Sequence, residues 1–256
     1  DLTNQTFVLG SEQTHVDWMT GNDSGIDVAP DIRAEYIFSD SYILYLNAQG
    51  GRQVNDYRML SRISPYWGTE QQLDATYVPF DATLGFKASP VSGLWFNIFG
   101  GYQIRKHELF CTLVPAGQFV YTGFVQDKGK IGYGGAEVKY GYKDYFDASV
   151  KGTYYGWTTD SDDDMIVAMK PEMELNFKVD AKLMDGLKLR LGYDYVKRKG
   201  EDVDPVSNLS VGATYELLKD ISIFVDVNNL LNKQYYYEGG YPAEKLNVLG
   251  GLSFRF

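Results

Sequence analysis

Alternation with a period of two runs through most of this chain, and it restricts the fold more than any other feature. In 173–182 the odd positions Met173, Leu175, Phe177, Val179 and Ala181 are apolar, while Glu174, Asn176, Lys178, Asp180 and Lys182 are polar or charged. Next, Leu187, Leu189, Leu191, Tyr193 and Tyr195 alternate with Lys188, Arg190, Gly192 and Asp194. The same two-faced writing occupies 94–105, 208–217 and 221–228, where Asp226 sits on the polar side. A strand points successive side chains to opposite faces, whereas a helix needs apolar residues at three-to-four spacing. These windows offer only the first pattern, so they are strands.

The chain closes on another such strand. Val248, Gly250, Leu252, Phe254 and Phe256 fall on one face, and Asn247, Ser253 and Arg255 on the other. A soluble protein rarely spends its last residue on a half-buried Phe, but a sheet closing against lipid does. Phe254 and Phe256 therefore read as an assembly signal for a barrel-insertion machinery, and the rival is the last edge strand of a sandwich.

The connections sort into two alternating kinds. Tight turns are expected at 39–40, 89–92, 143–144, 185–186 and 219–220, with long polar loops at 19–30, 50–71, 107–128, 158–170, 199–205 and 232–243. Five turns and six loops imply about twelve strands, an even number as outer-membrane barrels have. The expected fold is all-β: one transmembrane antiparallel up-and-down β-barrel over residues 1–256, with short periplasmic turns and long extracellular loops. The first strand lies somewhere in Gln5–Trp18, where the alternation is poor.

Parity then assigns faces. Ile32, Ala34, Tyr36, Phe38, Tyr42, Leu44, Leu46, Leu84, Phe86 and Val150 face lipid, while Glu174, Lys178, Asp180, Lys188, Arg190, Asp194, Asp226 and Arg255 face a lumen. A charge on the lipid face at mid-bilayer costs roughly 2–4 kcal/mol, so charges confined to one parity mark a polar interior. Both signs are mixed there, and pairs such as Glu174 and Lys178 with Lys188 and Arg190 are expected to cross-link it.

Composition agrees. The 21 Tyr fit aromatic girdles at two membrane interfaces, and the 27 Gly fit bent, closely packed strands. No run of eighteen apolar residues exists, which excludes a transmembrane helix and leaves barrel strands untouched. The net charge of -10 argues against nucleic acid as a partner. The single Cys111 excludes an internal disulfide framework, and the chain starts at Asp1 without an apolar leader.

Few residues could carry chemistry. Acid–base machinery usually needs His beside Ser, Asp or Glu, and only His15 and His107 exist, neither beside a serine that reads as activated. No zinc spacing and no cofactor motif is present, and Gly132, Gly134 and Gly135 lie inside a strand pattern rather than before a helix. Asp160, Asp162, Asp163 and Asp164 form a weak candidate site for a divalent cation, against the simpler reading of a solvated acidic tip. Segment 109–125 crowds Phe110, Phe119, Tyr121 and Phe124 into a region expected to be wet. It reads as strands running past the membrane, folded at Pro115-Ala-Gly117, or as a contact for a protein partner.

One resemblance is specific. Val227-Asn-Asn-Leu-Leu-Asn-Lys-Gln-Tyr235, the Gly239-Gly-Tyr-Pro242 loop and the closing strand to Phe256 resemble the carboxy-terminal end of TonB-dependent receptors. The match covers about the last thirty residues and is architectural before that. It implies a Gram-negative outer-membrane protein, in contact with lipid and with protein partners. Its role would be receptor, transport-associated or structural rather than catalytic. The family pairs a 22-stranded barrel with an amino-terminal plug and a TonB box, and this chain is expected to have about half the strands and neither of the others. It is then a carboxy-terminal part of a receptor or a short related barrel. The alternatives are a passive channel and an outer-membrane enzyme of the phospholipase type.

Overall fold

Each alternating window forms a strand, and each strand pairs with its chain neighbour. The computed structural model describes residues 6–10, 28–68, 71–161, 167, 169–200, 204–238 and 241–255. The strands are β1 (Thr6–Gly10), β2 (Asp31–Ser39), β3 (Tyr42–Gln53), β4 (Thr76–Val91), β5 (Leu94–Ala116), β6 (Phe119–Tyr142) and β7 (Phe146–Thr159). They continue with β8 (Pro171–Met184), β9 (Leu187–Arg198), β10 (Val206–Leu218), β11 (Ile221–Asn228), β12 (Tyr236–Glu238), β13 (Tyr241–Pro242) and β14 (Asn247–Phe254). Twelve of them make one up-and-down sheet in the order β1 to β11 and then β14, while β12 and β13 form a separate small hairpin. Among the described residues, β1 and β14 border the sheet and are not paired with each other.

Register keeps the two faces separate around the sheet. Ala148, Val179, Leu191, Val211, Val227 and Val248 lie opposite one another in succession across six strands. Charged and polar positions form rows of the other parity, as in Glu137 opposite Lys151 and Asn176 opposite Asp194. The apolar rows are uncovered: Leu84 is 54% exposed, Ile98 57% and Tyr154 57%. Water does not tolerate a contiguous apolar surface of that extent, and lipid requires one. The uncovered rows carry residues that parity assigns to lipid, such as Leu84.

Most turns fall where the sequence puts them. Gly186 takes φ 83° between β8 and β9, and Lys143 takes φ 51° between β6 and β7. The turn expected at 89–92 is narrower, because β4 runs on to Val91 through an irregular register. The loop expected at 50–71 contains a helix, α1 (Tyr57–Ile63), started by Asp56, whose carboxylate accepts the Met59 amide at 2.8 Å.

The loop expected at 107–128 is largely strand. β5 and β6 are 23 and 24 residues long, about twice the length needed to cross a bilayer, and they turn at Gly117 with φ 65°. A bulge between Arg105 and Glu108, with His107 at φ 54°, marks where this hairpin leaves the membrane sheet. The two clusters of buried apolar residues lie on its two faces. Phe110 packs with Ile131, Trp157 and Val167, and Leu109 and Phe124 pack with Leu60 of α1.

Candidate functional site

The polar face is a chain of short contacts rather than a row of free charges. Glu35 accepts Arg33 at 2.9 Å and lies 4.0 Å from Lys87, whose ammonium stands 4.5 Å above the Tyr45 ring. Tyr45 donates to Asn97 Oδ1 at 3.2 Å. Asp81 receives Gln103 at 2.8 Å and the Tyr133 hydroxyl at 3.1 Å. The Tyr133 ring reaches that carboxylate by lying over Gly101, where a Cβ would stand 2.4 Å from its Cζ.

The eight lumen charges expected from the sequence sit on this face with partners that differ in part. Glu174 accepts the Tyr155 hydroxyl at 3.0 Å, and Asp194 accepts Asn176 at 2.7 Å. Arg190 faces Asp180 across β8 and β9, yet its guanidinium bonds Asp226 at 2.7 Å, two strands away. It does so above Gly212 of β10, where a Cβ would come within 2.3 Å of Asp226 Oδ1. Lys178 and Lys188 stand opposite Ser149 and Thr214, and Glu174 takes the Tyr155 hydroxyl rather than Lys188 or Arg190 as its partner. Arg255 follows β14, with its side chain exposed and its amide donating to the Asp220 carbonyl.

Phe254 is 55% exposed opposite Ile221 on the lipid side, while Phe256 lies outside the described residues. Of the acidic tip, Asp162, Asp163 and Asp164 also lie outside them. Asp160 is held by Lys130 at 2.8 Å and Lys128 at 3.4 Å, so its charge is already matched by two ammoniums. The hydrogen bond from Lys130 pulls its carboxyl below the usual 3.8. Beside it, Asp127 accepts the Ser161 hydroxyl at 2.6 Å.

Part of the crowded 109–125 segment packs within the chain, while Leu113 is 48% exposed and the Phe119 side chain lies outside the described residues. Phe110 is 1% exposed and Phe124 5%, so neither is offered to a partner, and the Tyr121 ring lies against Gly68. An ion cluster locks the base of the hairpin. Glu108 accepts Lys170 at 2.6 Å and lies 2.8 Å from the Arg105 guanidinium as an ion pair, and the Lys170 ammonium stands 4.9 Å from both the Phe110 and Trp157 rings.

The carboxy-terminal motif has a structural centre that alternation does not reveal. Asn229 is 1% exposed with φ 49°, a left-handed conformation that asparagine tolerates better than most residues. Its side chain donates to the Lys233 and Glu244 carbonyls and accepts the Lys233 amide, while its own amide donates to Asn208 Oδ1 at 2.9 Å. This ties β11 to the β12–β13 hairpin and to the approach to β14. Tyr241 on that hairpin stacks on Tyr66 at 3.7 Å, and its hydroxyl donates to the Val120 carbonyl at the tip of β6. Three loops far apart in sequence are clasped there.

Beside the clasp opens a cleft of about 550 Å³, lined by Pro65, Tyr66, Asn208, Asn228, Asn229, Tyr235, Tyr241, Pro242, Glu244, Lys245 and Asn247. Periodicity put Asn208, Asn228 and Asn247 on the polar side of their strands and the motifs at 227–235 and 239–242 contain Asn229, Tyr235, Tyr241 and Pro242, but nothing in the sequence joins them into one site.

Solved structures share this fold. The copper transporter OprC is matched with TM-score 0.64 at 16% identity over 93% of this chain and 41% of its own. The pyoverdine outer membrane receptor FpvA from Pseudomonas aeruginosa is matched with TM-score 0.63 at 16% identity, over 90% of this chain and 36% of its own. The siderophore receptor PirA from the same species gives 0.59 at 14% identity, over 91% and 43%. No protein-family model and no curated protein matches the sequence. The chain has the architecture of an outer-membrane β-barrel wall. More narrowly, its fold is that of the barrel portion of TonB-dependent receptors, of whose length it spans about two fifths or less.

Proposed function

We propose that this chain forms the wall and part of the loop cap of a receptor-type barrel in a Gram-negative outer membrane. There it recognises a solute at the long-loop end and serves its uptake without catalysing a reaction. The observation that carries this reading is the clasped loop end: Tyr66, Val120 and Tyr241 hold three loops together beside an open cleft. Ordered loops around a cleft are what recognition needs, and binding sites concentrate on loops held by a rigid scaffold. The polar face supports the same view, since several of its charges are tied into hydrogen bonds and ion pairs such as Arg190 with Asp226. The solved neighbours named above are receptors and a transporter, which favours uptake over an unselective pore. Lipid, an energising protein partner and the barrel-insertion machinery are the partners that go with this role.

A strain lacking the chain tests the proposal. It is expected to lose uptake of one nutrient class under limitation, and to regain it with the intact chain but not with one lacking 236–242. Unchanged uptake across iron, copper, vitamin and glycan limitation, together with stable large single-channel steps from the purified chain in planar bilayers, would overturn it.

A further inference from the structure

The cleft at the clasp has an unusual polar character. Asn208, Asn228 and Asn247 converge on it from β10, β11 and β14, and Asn228 and Asn247 are direct partners in register. Their carboxamides are only partly engaged. Asn208 spends its oxygen on the Asn229 amide, and Asn247 spends its nitrogen on Glu244 at 2.7 Å. The Asn208 amide nitrogen, the Asn247 carbonyl oxygen and both ends of Asn228 carry no hydrogen bond among the described residues. Donors and acceptors thus stand side by side, and none of them is charged. The charged lining is one acid and one base, Glu244 and Lys245, which cancel. The opposite wall is aromatic, with Tyr66 46% exposed and backed by its stack on Tyr241.

We propose that this cleft binds a neutral oligosaccharide. Each vicinal pair of hydroxyls presents a donor and an acceptor a short step apart, which is the pattern that a row of half-engaged carboxamides answers. The C–H faces of a sugar ring need an apolar plane, and the exposed face of Tyr66 supplies one. An anionic metal chelate, by contrast, calls for clustered cations, and this cleft has the single base Lys245 beside the acid Glu244 in its lining. The volume of about 550 Å³ lies within the roughly 300–1,000 Å³ of small-ligand sites. Asn229 does not take part, because both ends of its side chain are committed to loop carbonyls and amides. The inference rests on the receptor reading of this same loop end and adds the class of ligand.

The test uses the full chain, purified in a detergent without a sugar head group, on an array of neutral α- and β-linked oligosaccharides. The best binder is then followed by calorimetry. Binding of at least one neutral oligosaccharide is expected. Asn228→Ala should weaken it roughly threefold to tenfold, the loss of about one hydrogen bond. Tyr66→Ala should weaken it at least as much, and Tyr66→Phe should retain it. Because Asn228 is exposed and makes no side-chain bond among the described residues, Asn228→Ala is expected to leave thermal unfolding unchanged, which keeps the result interpretable. Absence of binding to every neutral glycan overturns the proposal, as does binding indifferent to Asn228→Ala. If a ferric chelate binds instead and is weakened by Asn228→Ala, the ligand class is wrong while the receptor reading stands.

Discussion

Arg190 and Asp226 meet above Gly212, and that one missing side chain decides whether two strands can exchange charge across a third. Their side chains are 54% and 30% exposed, so the pair is screened and Arg190→Gln is expected to cost no more than about 1 kcal/mol. Gly212→Leu should cost more, since its Cβ alone would stand 2.3 Å from Asp226 Oδ1 and the pair must separate. Urea unfolding of the refolded chain in liposomes measures both, and equal costs would show that the glycine is incidental. The same measurement tests the faces. Leu191→Arg places a charge in lipid and should cost roughly 2–4 kcal/mol, whereas Lys178→Gln on the polar face should be mild. At this scale the sequence was legible in faces and illegible in partners. Alternation says that Arg190 points inward, but Asp180 and Asp226 lie on the same face, and only the space above Gly212 makes the second one reachable. Asn229 shows the same limit. The motif containing it is visible, yet nothing in a period of two says that its amide organises a loop.

The β5–β6 hairpin shows why 107–128 looked like a long loop although its apolar half also read as strands running past the membrane. Leu109 and Phe110 are neighbours in sequence and both are buried, one against α1 and the other against Trp157. A strand covered on both faces loses its alternation and reads as an irregular apolar run. α1 was hidden for a different reason. It is seven residues long and its one buried residue is Leu60, so no helical stripe could form. Asp56→Ala is therefore expected to destabilise this cap by about 1 kcal/mol, seen as faster proteolysis near Arg58 or Arg62 with the membrane strands unaffected. The hairpin's flank has its own pH limit. Asp160 is held below its usual 3.8 by Lys130, so the folded value lies under the unfolded one. Its contribution is present above about pH 4 and fades as pH falls through the lower, folded value. An NMR titration should find Asp160 still ionised when an ordinary aspartate is half protonated, and Lys130→Gln should raise its midpoint.

Across the whole molecule, tight turns and long connections alternate, and this predicts sidedness. A tag at Gly117, at the tip of the projecting hairpin, should label from outside intact cells, and a tag at Gly186 should not. Labelling at Gly186 would invert the topology. The strand count, the order and the two faces were all readable, because a meander writes each hairpin as two alternating windows around a turn. The cleft was not, because Tyr66, Asn208 and Asn247 come from connections and strand ends that no local pattern relates. The clasp also carries a kinetic consequence. Each strand of the meander from β2 to β11 pairs with the one just before it in the chain, so the strands can zip in succession without pairing distant segments. Tyr241 reaches back 121 residues to Val120, past all of β6 to β11, and cannot engage until the strands between have been laid down. In pulsed amide exchange during refolding, the strand interiors should gain protection first. The amides around Tyr66 and Thr122 should follow as a late, separate phase, and Tyr241→Phe should delay that phase alone.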